Sequence, residues 1–265
     1  MWAMLFIASG NQGIAHTLGM GEPGGRPVAG GCYDAARPPP PIDAMSPLPT
    51  VEHETAADPT HSIIWLHGLG ADGNDFAPIV PELVAKEWPA LRFVFPHAPV
   101  QPVTINGGVP MRAWYDIHGF DVRAPQDEAG IRVSIAAVEA LIARENTRGV
   151  PDENIFLVGF SQGGAIALSA GLRHPRALAG IVALSTYVPI SSLLAAERHA
   201  ANAATPIFWG HGSADPVVLY QRGVDSRDLL QSLGYTVDWH SYPMPHSVCA
   251  EEIADLRQWL GARLA

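Results

Sequence analysis

The chain has 265 residues, enough for one large domain with a substantial core. Its 48% hydrophobic and 16% charged content fits a compact globular enzyme and excludes a fibrous or wholly disordered chain. A net charge of −10 argues against nucleic-acid or anionic-membrane partners, and no apolar run reaches the ~18 residues that span a bilayer.

Two cysteines, Cys32 and Cys249, make no disulfide framework, so a reducing cytoplasm is the expected compartment. The single lysine, Lys86, falls on the expected solvent face of a helix and offers no Schiff-base candidate. No two histidines stand three or four apart, and HExxH and CxxC are absent. Neither a metal nor an organic cofactor is expected.

Residues 1–44 carry 14 Gly and Pro, including the run Pro38 to Pro41, and are expected to form a disordered, dispensable leader. Residues 45–60 read as a linker that begins at Met45, and residues 61–265 as the folded domain. His61 to His67 has the pattern of a buried strand and runs into the loop Gly68-Leu-Gly-Ala-Asp-Gly73. Phe76, Ile79, Val80 and Leu83 follow at helical spacing, and Leu91 to Phe95 is a second strand. Pro96 to Pro110 reads as a long loop stiffened by proline, and Arg112 to Ile117 as a short aromatic strand. Asp127 and Glu128 open a helix striped by Ile131, Ile135, Val138 and Ile142.

Ile155 to Val158 is a strand, and Ala165 to Ala170 a helix of small residues. Beyond lie a strand over 178–184, a helix over 191–203 and a strand over 206–210. A helix over 217–233 stopped by Gly234, a strand over 236–242 and a helix over 251–260 complete the chain. Strands alternating with helices predict an α/β fold with a mostly parallel central sheet. The interval 185–205 is too short for a separate cap domain.

The turn between the strand at 155–158 and its helix holds Gly159-x-Ser161-x-Gly163, the pattern of a nucleophile elbow. A serine there is lifted clear of the backbone, at the N-terminus of a helix whose amides stabilise developing negative charge. The serine needs a base and an acid to orient it, both beyond the carboxyl ends of later strands. Asp215 follows the strand at 206–210 and His246 follows the strand at 236–242. The order Ser161, Asp215, His246 is the one such a fold uses with a nucleophile elbow. His240 reads as a packed or edge histidine, and His211 as shaping the turn before Asp215. Asp116 and Asp121 precede the nucleophile, the wrong order for the acid, and Cys249 lacks an elbow. Backbone amides of Leu69 and Gln162 are expected to form the oxyanion hole.

Four stretches carry a resemblance: His67-Gly-Leu-Gly-Ala-Asp-Gly73, the loop from Pro96 to Asn106 ending in Ala113-Trp-Tyr-Asp116, Gly159-Phe-Ser-Gln-Gly-Gly164 and His211-Gly-Ser-Ala-Asp-Pro-Val217. In this order they resemble the phospholipase/carboxylesterase family, which includes acyl-protein thioesterases and bacterial carboxylesterases. The likeness runs from about His61 to the C-terminus and leaves residues 1–44 without a counterpart. Leu219 stands where that family often has proline. The resemblance implies an α/β-hydrolase fold and the triad Ser161, Asp215 and His246, with amides of Leu69 and Gln162 as the oxyanion hole. Its members are often dimers, which suggests a homodimer. Leu69, Trp114 and Phe76 are expected to line the substrate cleft, with the long loop as its wall.

The expected activity is hydrolysis of short-to-medium acyl esters through an acyl-enzyme. Acyl-protein thioesterase or lysophospholipase activity is the alternative within the class. A catalytically silent binding protein of the same fold is the alternative outside it, disfavoured because the triad and the elbow glycines are all present. The partner is a small ester or an acylated protein.

Overall fold

A computed structural model describes residues 48–119 and 124–264. The leader 1–44, Cys32, Met45 and Asp121 lie outside them. A seven-stranded sheet is formed by β1 (Thr50–Glu54), β2 (His61–Leu66), β3 (Leu91–Pro96), β6 (Ile155–Phe160), β7 (Gly180–Leu184), β8 (Ile207–Gly212) and β9 (Val237–Tyr242). Its order is β1-β3-β2-β6-β7-β8-β9, and every neighbouring pair is parallel except β1 with β3. β4 (Val100–Val103) and β5 (Val109–Arg112) form a separate antiparallel hairpin.

Alternation along the strands divides the core between the two faces of the sheet. Ile63, Trp65, Phe93, Phe95 and Phe156 pack beneath α1 (Val80–Leu83) and α6 (Ala250–Leu264), which contribute Leu83, Leu256, Trp259 and Leu260. Ile64, Leu66, Val94 and Leu157 face the other way. They meet Ile131, Val138 and Ile142 of α2 (Glu128–Thr147) and Ala165, Ile166 and Ala170 of α3 (Gln162–Arg173). On that face α5 (Tyr220–Ser232) adds Leu230 over Ile181, Ile207 and Trp209. These central strands are buried on both faces, which is why they read as unbroken apolar runs. The result is an α/β-hydrolase fold. Between β7 and β8 the chain forms only α4 (Ser191–Glu197) and a single 3-10 turn, with no cap domain.

Several expectations need correction. Part of the stretch read as a linker, Thr50–Glu54, is an edge strand. Glu52 pairs with Arg144 and Arg148 at 2.9 Å, and Glu54 with Arg92 at 2.8 Å. The expected helix after Gly73 is a 3-10 turn over Ala77–Ile79 and the four-residue α1, because Pro78 and Pro81 limit its ladder. The loop 96–110 contains the β4–β5 hairpin, and Arg112 ends its second strand. α5 begins at Tyr220, not Val217, because the Asp215 carboxylate accepts the amides of Val217 and Val218 and holds them in a turn. α4 stops at Glu197, with Arg198 in an extended conformation.

Candidate active site

Ser161 sits between β6 and α3 with φ 54° and ψ −119°, a conformation that costs a side-chain-bearing residue about 1–3 kcal/mol. The glycines around it permit this turn by letting backbone meet backbone. A Cβ on Gly159 would lie 2.3 Å from the Gly163 carbonyl oxygen, and one on Gly163 would lie 2.3 Å from that of Leu66. The turn is further held by the Ser161 amide donating to Leu184 O at 2.9 Å and the Thr186 hydroxyl donating to Ser161 O at 2.6 Å.

The carboxyl ends of β8 and β9 bring two more groups to this point. Asp215 is buried; its Oδ1 accepts from the amides of Val217 and Val218 at 2.8 and 2.9 Å. Its Oδ2 lies 2.7 Å from His246 Nδ1. That nitrogen therefore carries the proton and donates it, leaving Nε2 to accept from Ser161 Oγ at 2.9 Å. The imidazole lies against Phe160, ring centres 4.8 Å apart. A hydroxyl, a base facing it and a buried acid behind the base can transfer an acyl group.

The rival residues are engaged elsewhere. His211 is fully buried and donates from Nε2 to Val218 O at 2.8 Å, so it spans the turn after β8. Burial lowers its pKa. His240 stacks on Phe208 and contacts Asp238 at 3.1 Å on the edge strand. Asp116 accepts the amide and hydroxyl of Thr104 at 2.7 and 2.5 Å and braces the hairpin. Burial raises the pKa of the Cys249 thiol, the reverse of what a nucleophilic thiolate needs.

The loop after β2 faces Ser161. Its Gly70 amide donates to Arg112 O at 2.9 Å and its Ala71 amide to Gly68 O at 3.3 Å. The amides of Leu69 and Gln162 have no acceptor among the described residues. His67 holds this loop from behind. The Ala98 amide donates to its Nε2 at 3.0 Å, so Nδ1 carries the hydrogen and donates to Gly68 O at 2.7 Å. Burial pulls its pKa down to about 4, so the ring is neutral at physiological pH. Gln162 fixes the opposite side: its carbonyl accepts the Trp114 amide at 2.8 Å and its NH2 donates to Tyr115 O at 2.7 Å.

A cleft of about 310 Å³ opens over Ser161 and His246. Leu69 lines it. Trp114 and Phe76 do not. Trp114 is turned inward, its indole N–H donating to His67 O at 2.9 Å, and it supports the loop after β2 from the core. Phe76 stacks on Trp65, ring centres 5.1 Å apart, and reaches the site only through Phe160. Its walls include Ile105 and Ile117, Phe160, Tyr115 and Tyr187, and Val217, Val218 and Arg222. Ile105 belongs to the long loop expected as a wall, whereas sequence reading missed the others, which come from four separated segments. The one available signal was the Tyr115 neighbour of Trp114. A more open hollow of about 460 Å³ lies between α1 and α6, but it contains no nucleophile. Among the described residues, no group of three or more metal-ligating side chains exists.

The fold and the joined Ser161, His246 and Asp215 define a serine hydrolase of the α/β-hydrolase class. Residues 49–264 match the family model described as Phospholipase/Carboxylesterase, and the chain belongs to that family. It is 41% identical to acyl-protein thioesterase 1 of Neurospora crassa over 226 residues, covering 82% of this chain and 90% of the relative. Against carboxylesterase SOBER1 of Arabidopsis thaliana it is 36% identical over 205 residues, covering 76% of this chain and 90% of the relative. The crystal structure of SOBER1 superposes with a TM-score of 0.74 at 35% identity, over 77% of this chain and 99% of that one. That of Zea mays acyl-protein thioesterase 2 gives 0.71 at 31% identity, over 81% and 99%.

Proposed function

We propose that the protein hydrolyses carboxylic esters of short-to-medium acyl chains through an acyl-enzyme on Ser161. The hydrogen-bonded series Ser161 Oγ–His246–Asp215 at the floor of the cleft carries this reading. Ser161 Oγ attacks the carbonyl carbon as its proton passes to His246 Nε2. Asp215 holds the ring in the tautomer that can accept it and stabilises the imidazolium. The carbonyl electrons move onto oxygen, which rests on the amides of Leu69 and Gln162. The oxyanion collapses, the bond to the leaving group breaks, and His246 returns the proton to the departing oxygen. Water then repeats the sequence on the acyl-enzyme, with His246 as base. A cleft of about 310 Å³ lies at the small end of ligand sites, which supports the shorter acyl chains.

A second reading, hydrolysis of an acyl thioester on a protein, is favoured by relatives named as acyl-protein thioesterases. The same steps apply, with a thiolate leaving. Lysophospholipid hydrolysis is the third ester class within reach of this site. A cytoplasmic location and a homodimer are also proposed. The test is turnover of 4-nitrophenyl esters of increasing chain length beside an acyl-cysteine peptide. A maximum at short or medium esters supports the first reading. A preference of ten times or more for the peptide supports the second, and no turnover of either overturns both.

A further inference from the structure

Arg222 is the one permanently charged side chain on the walls of the cleft among the described residues, in a chain of net charge −10. Its guanidinium carbon lies 3.4 Å from the centre of the Tyr187 ring, so the planar group is stacked on the aromatic face. Stacking spends the face of a guanidinium and leaves its in-plane N–H groups aimed outward, the geometry that takes up a carboxylate or phosphate. No carboxylate among the described residues pairs with it. The nearby acids are already used: Asp225 accepts from Gln221 at 2.8 Å, and Asp127 caps α2 and accepts the Asp116 amide at 2.9 Å.

The placement is held, and it runs against helix electrostatics. Tyr187 Oη and Tyr115 Oη are 2.8 Å apart, which fixes the ring beneath the guanidinium. Ser226 accepts the Val188 amide at 3.0 Å and donates to Arg222 O at 2.8 Å, so α5 and the Tyr187 segment are tied in register. Arg222 is the third residue of α5, whose first turn has no acidic residue. A cation there opposes the helix dipole, and an anion brought into the cleft would relieve it.

We propose that Arg222 determines specificity, selecting esters that carry an anionic group, carboxylate or phosphate, a few bonds from the scissile carbonyl. This rests on the ester-hydrolase reading above. The anion belongs either to the acyl chain or to the leaving group, and two pairs of substrates separate these sources. One pair is mono-4-nitrophenyl adipate and 4-nitrophenyl hexanoate; the other is 4-(butanoyloxy)benzoate and 4-(butanoyloxy)benzamide.

The quantity read is the ratio of kcat/KM for the anionic member to that for the neutral member, so a general loss of turnover cancels. Arg222→Leu is expected to lower that ratio roughly tenfold in one pair, mostly through KM, as expected for a partly exposed charged hydrogen bond. Arg222→Lys should keep part of the preference, and added salt should shrink it in the wild type. A ratio that moves less than twofold in both pairs overturns the proposal and leaves the hydrolase reading standing. Failure of the wild type to turn over any of the four overturns that reading instead. Binding of both members of the pair whose ratio moved to Ser161→Ala, with and without Arg222→Leu, then decides the role of Arg222. Equal loss or no loss for both ligands would overturn it.

Discussion

The indole N–H of Trp114 donates to the main-chain carbonyl of His67 at 2.9 Å, so a tryptophan far along the chain sets the path of the loop after β2. His67 itself bridges Gly68 O and the Ala98 amide. The Leu69 amide is thus aimed from behind by groups that do not touch the cleft.

If this support positions an oxyanion donor, weakening it should slow chemistry more than it weakens binding. His67→Ala is expected to lower kcat for a 4-nitrophenyl ester about 10²-fold with little change in KM, the size of effect seen when one oxyanion donor is lost. Trp114→Phe keeps the ring, loses the N–H and should cost about tenfold. Because burial holds the His67 pKa at about 4, the pH–rate profile of either variant should keep its shape above pH 5. A threefold or smaller effect on kcat in both variants would contradict the positioning role.

Glu252 has both carboxyl oxygens buried without a partner, against the space left by Gly210. Burial pushes its pKa up to about 8, with a smaller rise from the charge of Asp255. A carboxyl raised in the folded state binds its proton more tightly there. The stability it supports is therefore full below about pH 4.5 and is lost as pH rises toward 8. Glu252→Gln cannot ionise and should flatten that decline. The melting temperature of the variant relative to wild type should rise by roughly 5 °C between pH 5 and pH 8. Parallel melting curves across that range would rule out the buried acid as their cause.

Two truncations test where the domain begins. A chain starting at Met45 should keep its melting temperature and ester turnover. A chain starting at His61 loses β1 and exposes an edge of β3, along with the pairs of Glu52 and Glu54. It should be insoluble or melt several degrees lower. Equal stability of the two would show that β1 adds nothing.

The residues that meet in the hydrogen-bonded series Ser161–His246–Asp215 were legible because each sits at a strand end marked by its own local pattern. Glycines around Ser161 encode close approach of backbone, and Asp215 before Pro216 encodes a turn. β1 was hidden because Thr50-Val-Glu-His-Glu54 is polar, and only pairing with β3, with Arg144 of α2 and with Arg148 just after it gives it a place. Trp114 and Phe76, expected to line the cleft, are packed against His67 and Trp65 instead. Adjacency along the chain does not tell which side of a loop faces the core. Arg222 escaped notice because no local pattern marks the first turn of α5 as facing the cleft, which only the packing of Tyr187 beside it decides.

The central claim is that Ser161 Oγ, activated by His246, is the nucleophile. Its most direct test is covalent capture with a fluorophosphonate, followed by peptide mapping of wild type, Ser161→Ala and His246→Ala. The account predicts one modified residue in the wild type, Ser161, with none in Ser161→Ala and much slower labelling in His246→Ala. Labelling of any residue in Ser161→Ala at the wild-type rate, or full ester turnover by that variant, would contradict it.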